Sequence, residues 1–178
     1  MSALGLEQLW RLLRDGGGLM AGLIDPAGPP SRLEPGPPAL TAAGGPRAAG
    51  RREEYELLVE AIYEGYLLHY GTPRVVRVPD ADLRLLAGDR LYAVGLARLV
   101  ELGDTPAVAE LADTITLSSL AQGAGDGELA EAVWEAGARA VGWGSSVSHR
   151  HAKELVSGGS SAALEAMRTS GWAVPASP

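Results

Sequence analysis

The sequence predicts an all-α protein, an antiparallel helix bundle that carries a proline- and glycine-rich arm near its N terminus. Three observations support this prediction. Apolar residues recur at spacings of three and four in several long segments, no segment alternates as a β-strand does, and glycine or proline separates the helical segments. With 178 residues, of which 46% are hydrophobic, the chain has enough apolar side chain for one packed core.

The composition excludes several classes of function. The sequence has no cysteine, which rules out disulfides, thiolate zinc sites and cysteine nucleophiles. The net charge is −7 and Lys153 is the single lysine, so we expect no nucleic-acid partner. No segment reads as a transmembrane helix or a signal peptide, and we therefore expect a cytoplasmic protein.

The first 50 residues divide into two segments of different composition. Residues 1–15 place leucines and Trp10 at a helical period, which predicts a short amphipathic helix that needs a partner surface. Residues 16–50 contain nine glycines and seven prolines, which predicts a linker or arm. By composition, the part from Pro26 to Arg47 is expected to be disordered.

Residues 51–144 form the predicted helical domain. Its helices are expected at Arg51 to Tyr70, Ala81 to Gly103, Pro106 to Gln122 and Glu128 to Val141. Between the first two, residues 74–78 lie between prolines and read as an extended connection that is too isolated for a sheet. Residues 145–178 predict a loosely docked tail with one short helix, from Ser161 to Thr169.

The helix from Ala81 to Gly103 has the longest unbroken apolar period and is expected in the core. Asp80 or Asp82 can cap its start, and Gly103 is placed to end it. Gly88 and Gly95 each cost about 1 kcal/mol relative to alanine in a helix, so they predict a neighbouring helix at close range.

The sequence has none of the phosphate-loop, HExxH or GxSxG motifs of common enzymes. His149 and His151 form an H-x-H that we expect to be exposed to solvent, because a metal site needs a third ligand and a stiff frame. Glu56, Glu60 and Glu64 lie one turn apart on one helical face. Such a stripe is either a weak Mg²⁺ site or a solvated acidic surface, as charge runs usually are.

Residues 51–122 resemble the trans-isoprenyl (polyprenyl) diphosphate synthases. The stretch LLAGDRLYA, from Leu85 to Ala93, is similar to that family's L-A-G-D-x-L-x-A helix, and ELGD ends at Asp104 as is typical of the family. Upstream, Gly71-Thr72-Pro73 is similar to the family's G-K-P turn, at an interval that needs no gap. The resemblance implies part of the isoprenoid synthase fold.

The same resemblance implies a chain that lacks the family's chemistry. The first aspartate-rich motif, DDxxD, falls on residues 60–64, which keep two glutamates and no aspartate. His69, Tyr70 and Thr72 stand where the family has basic residues that bind diphosphate, and no Asp-Asp pair for a second motif occurs. We therefore expect no catalytic residue and no cofactor.

The chain resembles the small, non-catalytic subunits of heteromeric prenyl diphosphate synthases. The resemblance implies an accessory or regulatory subunit that contributes a dimerisation helix layer to a catalytic chain. Two alternatives stay open: a helical homodimer with an unrelated interaction role, and a degenerate Mg²⁺-dependent prenyl diphosphate enzyme that uses the three glutamates.

Residues 83–102 together with 106–120 are predicted to be buried between chains. The interface residues are expected to be Leu86, Gly88, Leu91, Gly95, Leu99, Leu111 and Ile115. The cavity that holds the growing hydrocarbon in the family is expected to be mostly closed here by Tyr63, Tyr66, Leu67 and Tyr92.

Overall fold

The computed structural model describes residues 4–28 and 35–171, and all regular structure within these ranges is helical. The helices are α1 (Leu4–Asp15), α2 (Gly18–Ala21), α3 (Pro37–Gly44), α4 (Arg52–Tyr70), α5 (Ala81–Glu101), α6 (Thr105–Gly123), α7 (Gly127–Trp143), α8 (Val147–Ser157) and α9 (Ala163–Ser170). The all-α prediction is thus confirmed for the described residues. In these two ranges no helix is both long and apolar enough to cross a membrane.

Helices α4 and α5 pack directly on each other, and glycine makes their close approach possible. A Cβ atom added to Gly95 would lie 3.1 Å from the carbonyl oxygen of Leu58, and one added to Gly88 would lie 2.5 Å from the imidazole of His69. Neither position has room for a larger side chain. The close packing that Gly88 and Gly95 predict is therefore confirmed, with α4 as the neighbouring helix.

Aspartate side chains cap the three long helices that follow α4. Asp80, Asp104 and Asp126 stand at the N-caps of α5, α6 and α7. Each carboxylate accepts the N–H of the residue three positions later, at 2.8, 3.1 and 2.9 Å respectively, as a capping side chain does. Gly103, at φ 76°, follows the end of α5, as its position in the sequence predicts.

Part of the proline-rich arm is a buried helix, which corrects the expectation of disorder from Pro26 to Arg47. Helix α3 lies against α4 and α7, and Ala39 and Ala42 have no exposed surface. The space at its end is narrow, since a Cβ atom added to Gly45, the residue that follows α3, would lie 2.5 Å from the Cα of Gly142. Residues 29–34 of the arm lie outside the described ranges.

The tail is packed more firmly than the sequence predicts. Helix α9 corresponds to the expected short helix, but α8 precedes it and has no counterpart in the prediction. The side chains of Ala152, Val156, Ala163 and Met167 are buried in one apolar cluster with Val133 of α7. The loosely docked tail is therefore corrected to two helices that extend the core, with residues 172–178 outside the described ranges.

Candidate functional site

Three carboxylates on α4 each bind the backbone of a different segment. Glu56, Glu60 and Glu64 lie one turn apart, so they form a stripe along one face of the helix. Glu56 Oε1 accepts the N–H of Gly5 at 3.0 Å, which fastens α1 to α4. Glu60 Oε2 accepts the N–H of Gly36 at 2.7 Å, which fastens the residue before α3. The stripe thus holds the N-terminal segments on the central helix.

Glu64 holds the extended connection between α4 and α5. Its Oε1 accepts the N–H groups of Arg74, Val75 and Val76 at 2.8, 2.7 and 3.0 Å. Val76 also forms an isolated antiparallel bridge with Ile24, which agrees with the predicted absence of a sheet here. The carboxylate satisfies backbone donors that an irregular buried segment has to pair in some way.

Arg74 supplies a positive charge beside the two deeper carboxylates. Its guanidinium forms an ion pair with Glu60, and its Nε lies 3.6 Å from Oε2 of Glu64. Both glutamates are 0% exposed. Burial raises the pKa of Glu60 to about 7, although Arg74 and the Gly36 N–H oppose the rise. The interpretation of Glu60 and Glu64 as a solvated acidic face is therefore wrong.

The geometry of this stripe does not fit a Mg²⁺ site. Magnesium prefers an octahedron of oxygen ligands and usually keeps several of its waters. Here Glu60 and Glu64 direct their oxygens at backbone N–H groups and at the guanidinium of Arg74, inside the core. Among the residues that the structure describes, no group of three or more histidine, aspartate and glutamate side chains could hold a metal ion.

Helices α4 and α5 are in direct contact at Gly65 and Gly88. A Cβ atom added to Gly65 would lie 3.0 Å from the carbonyl oxygen of Gly88 and 3.0 Å from the ring of Tyr92. Tyr92 thus packs between the two helices, and the closed hydrocarbon cavity stays a prediction. Tyr63 and Tyr66 instead direct their rings at Trp134 of α7.

Most of the predicted interface residues are covered by this chain's own helices. Five of the seven are buried in the fold: Gly88, Leu91, Gly95, Leu99 and Leu111. Ile115 is half-buried, and Leu86 is 62% exposed. Of these seven residues only Leu86 and Ile115 therefore offer side-chain surface to another chain, and the interface itself stays a prediction.

Leu86 lines an apolar groove of about 630 Å³ between the outer face of α5 and the segment that joins α1 to α2. Along α5 the groove is lined by small and apolar residues at helical spacing, and by the charged residues Arg90, Arg98 and Glu101. Its opposite wall includes Leu12, Leu13, Leu19 and Met20. We call this feature the α5 groove.

A second polar cluster, which the sequence did not reveal, joins α6, α8 and α9. The Nε2 atom of His149 lies 2.6 Å from Oε1 of Glu110, and its Nδ1 lies 3.3 Å from Oγ of Ser170. His149 is only 3% exposed, whereas the side chain of His151 is 66% exposed. The expectation that both histidines of the H-x-H face solvent is therefore wrong for His149.

Lys153 completes the charge balance of this cluster. Its Nζ donates to Oε2 of Glu110 at 3.0 Å and to Oδ2 of Asp113 at 2.7 Å. Burial acts to raise the pKa of Glu110, but the hydrogen bond from His149 and the charges of His149 and Lys153 outweigh it and hold the pKa below its ordinary value. The cluster is thus a compensated ionic contact between helices.

Serine, histidine and a carboxylate are the residue types of a hydrolase triad, but this geometry does not support that chemistry. The hydroxyl of Ser170 donates to the carbonyl of Met167 at 2.9 Å. It is buried, at 4% exposure, between α9 and its neighbours. The sequence contains a signal for the burial of His149 alone, because His149, Ala152 and Val156 follow a helical period behind Ser146, whose side chain caps α8.

Comparison with protein-family models, with curated proteins and with solved structures gave no match for this chain.

Proposed function

We propose that this chain is a non-catalytic subunit that binds a catalytic prenyl diphosphate synthase chain through the α5 groove. The observation that carries the proposal is the use of Glu60 and Glu64. The two acids that remain at the position of the family's first metal-binding motif accept backbone N–H groups inside the core. Residues committed to the fold in this way are not available to bind Mg²⁺ and a diphosphate.

The outer face of α5 supports a binding role. Leu85, Leu86 and Val100 are 47%, 62% and 61% exposed, so apolar side chains face solvent near both ends of α5. Contiguous exposed apolar surface usually marks an interaction site. Ala93 and Ala97, which lie between Leu86 and Val100 along α5, line the groove. Such small side chains let another helix approach closely.

The nature of the partner is inferred from the sequence resemblance. In the resembled family, chains dimerise through helices that include this region, so a catalytic chain can offer a helix to the α5 groove. Arg90 and Arg98 outnumber Glu101 among the charged residues of the groove, which favours a partner helix that carries acidic residues beside its apolar ones. Such charges select the partner and its orientation more than they add affinity.

The test is co-expression with a full-length trans-prenyl diphosphate synthase encoded in the same genome, followed by size-exclusion chromatography with light scattering. We expect the two chains to elute as one complex of defined stoichiometry. Leu86→Asp should abolish the complex because it places a charge in the groove. Val147→Asp is the matched control, since Val147 is 63% exposed on α8, and it should leave the complex intact.

Two outcomes would overturn the proposal. If this chain alone forms a dimer that Leu86→Asp dissociates, and the synthase does not join it, the homodimer alternative is correct. If the chain is a folded monomer at micromolar concentration and does not elute with the synthase, the α5 groove is not an interface with either partner.

A further inference from the structure

A second groove lies between the proline-rich helix α3, the middle of α7 and the end of α9. It has a volume of about 270 Å³. Its lining includes Pro37 and Thr41 of α3, Ala136 and Arg139 of α7, and Met167 and Arg168 of α9. We call it the α9 groove. None of its residues belongs to the α5 groove.

The α9 groove is apolar at its base. Met167 has no exposed surface and Ala136 is 2% exposed, whereas Pro37 and Arg168 are exposed at the rim. An apolar side chain that enters such a groove removes both its own surface and the surface of the groove from water. This burial is the main favourable term when two apolar surfaces come together.

The charged residues of the α9 groove already have partners or face water. The guanidinium carbon of Arg139 lies 4.8 Å from the ring centroid of Trp143, and Nη2 of Arg168 donates to Oε2 of Glu128 at 3.0 Å. Glu135, which also lines the groove, is exposed. Arginine stems commonly cover apolar surface while their charged ends point away. The groove therefore suits an apolar side chain better than an ion.

The described part of the chain leads into the α9 groove. Gly171, the last described residue, is itself part of the lining. A Cβ atom added to it would lie 3.7 Å from the Cα of Ala136, so the backbone here rests directly on α7. Its φ and ψ of −63° and −19° are still helical. In the sequence, residues 172–178 follow, and they begin with Trp172.

We propose that the α9 groove is the docking site of residues 172–178 of this same chain, and that the indole of Trp172 fills it. A trans peptide places consecutive Cα atoms about 3.8 Å apart, so residue 172 starts at the edge of the groove. If the helical path continues, it follows Arg168 by four positions and lies on the same face. Tryptophan has one of the largest apolar surfaces to bury, about 150–250 Å².

The size and chemistry of the α9 groove agree with this occupant. Pockets for drug-sized molecules usually measure about 300–1,000 Å³, so about 270 Å³ suits one large side chain. The arginines can stack on an indole, as Arg139 does on Trp143. The docked segment connects α9 with α3, so the tail and the proline-rich arm hold each other on α7. The inference does not depend on the proposed function, since the two grooves share no residue.

Methionine methyl NMR on the full chain tests the proposal. The sequence has three methionines, of which Met167 lies in the α9 groove and Met20 in the α5 groove. We expect an NOE between the Met167 methyl group and the indole protons of Trp172. Trp172→Ala should shift the Met167 methyl resonance, because it removes the ring current, and should leave the Met20 resonance in place. An unchanged Met167 resonance, or equal shifts of both methionines, would overturn the proposal.

Thermal unfolding gives a second measurement on the same variant. Trp172→Ala should lower the Tm by about 4–8 °C, because the apolar surface that Trp172 buries is lost. Ser177→Ala is the matched control in the same segment and should change the Tm by less than about 2 °C. Equal Tm values for the two variants would contradict the docking.

The same NOE separates docking within the chain from docking between chains. A sample that mixes isotope-labelled with unlabelled protein shows only contacts between different molecules, and we expect no NOE from Met167 to Trp172 there. An NOE found in the mixed sample would assign the α9 groove to Trp172 of a second copy, and it would overturn the docking within one chain.

Discussion

The Oε1 atom of Glu64 lies 2.7 Å from the backbone nitrogen of Val75, inside the core. The same oxygen also accepts the N–H groups on either side of that residue. A single side chain of α4 therefore determines the path of the connection that leads into α5. We therefore expect the Glu64 carboxylate to be important for the stability of the fold.

Glu64→Ala should lower the free energy of unfolding by about 3–5 kcal/mol, the range for removing one partner of a buried charged contact. It leaves three backbone N–H groups without their acceptor and removes the negative charge that lies 3.6 Å from Nε of Arg74. Urea denaturation followed by circular dichroism measures the change. Glu53→Ala, on the exposed first turn of the same helix, should change the value by less than about 0.5 kcal/mol. Equal effects of the two substitutions would contradict the proposed role.

Glu60 should make the stability of the protein depend on pH. Its pKa is about 7 in the folded chain against an ordinary value of 4.5, so between these pH values the folded state binds a proton that the unfolded state has lost. The free energy of unfolding should therefore fall as the pH rises from 4.5 to 7. The free energy of unfolding should fall by at most about 1.4 kcal/mol per pH unit. Over the whole interval the decrease should reach about 3 kcal/mol.

Glu60→Gln tests this pH dependence, because the amide still accepts the Gly36 N–H but cannot titrate. Its free energy of unfolding should change less with pH over this window than that of the unaltered chain. The titration of Glu110 does not affect this comparison. Its pKa is lowered, so the stability that it contributes is lost only as the pH falls below 4.5. Parallel pH profiles for the two proteins would show that another group is responsible.

The long helices were predictable because their local signals agree with one another. Asp80 and Asp104 are caps that can be seen in the sequence, and each stands before an apolar period that ends at glycine. Helix α3 was not predictable from composition, because glycine and proline around it indicate disorder. Its buried surface comes from Ala39 and Ala42, which fill a narrow space whose width depends on residues about 100 positions away.

The candidate sites were harder to predict than the helices. The sequence places Glu60 and Glu64 on one face, but only the fold brings residues 36 and 74–76 over them and makes them internal. In the same way, an H-x-H gives no sign that Glu110, 39 positions earlier, will meet His149. Contacts of this kind depend on how distant segments pack together. The apolar period of one segment carries no information about that packing.

Gly95→Ala should destabilise the protein although alanine favours helix. A Cβ at this position would lie 3.1 Å from the Leu58 carbonyl oxygen and 2.9 Å from Cδ1 of Ile62. The overpacking cost of about 1–3 kcal/mol should exceed the helix-propensity gain of about 1 kcal/mol, and Gly95→Leu should cost more. Gly123→Ala is the control, since no atom lies within 4 Å of its added Cβ, and it should be neutral or stabilising in the same denaturation experiment.

The isolated chain should have no prenyltransferase activity with allylic and homoallylic diphosphates in the presence of Mg²⁺. Glu60 and Glu64 are fully buried, and His69, Tyr70 and Thr72 stand at the positions that the sequence resemblance assigns to diphosphate-binding residues. Product formation from radiolabelled homoallylic diphosphate should equal that of a protein-free control. Turnover that disappears in Glu60→Gln or Glu64→Gln would instead support the degenerate-enzyme alternative.

His149→Ala and His151→Ala should differ sharply, although the two histidines stand two positions apart. His149 is buried with its Nε2 2.6 Å from Glu110, so its removal leaves that carboxylate inside the core with Lys153 as its remaining partner. A buried polar group that loses a hydrogen-bond partner costs about 1–3 kcal/mol, and we expect a decrease of the free energy of unfolding in that range because Lys153 remains. The side chain of His151 is 66% exposed and its contact with Glu154 spans 3.5 Å at the surface, so its removal should change stability by less than about 0.5 kcal/mol. Urea denaturation of both variants measures the difference, and equal values would mean that the His149 cluster does not hold α8 against α6.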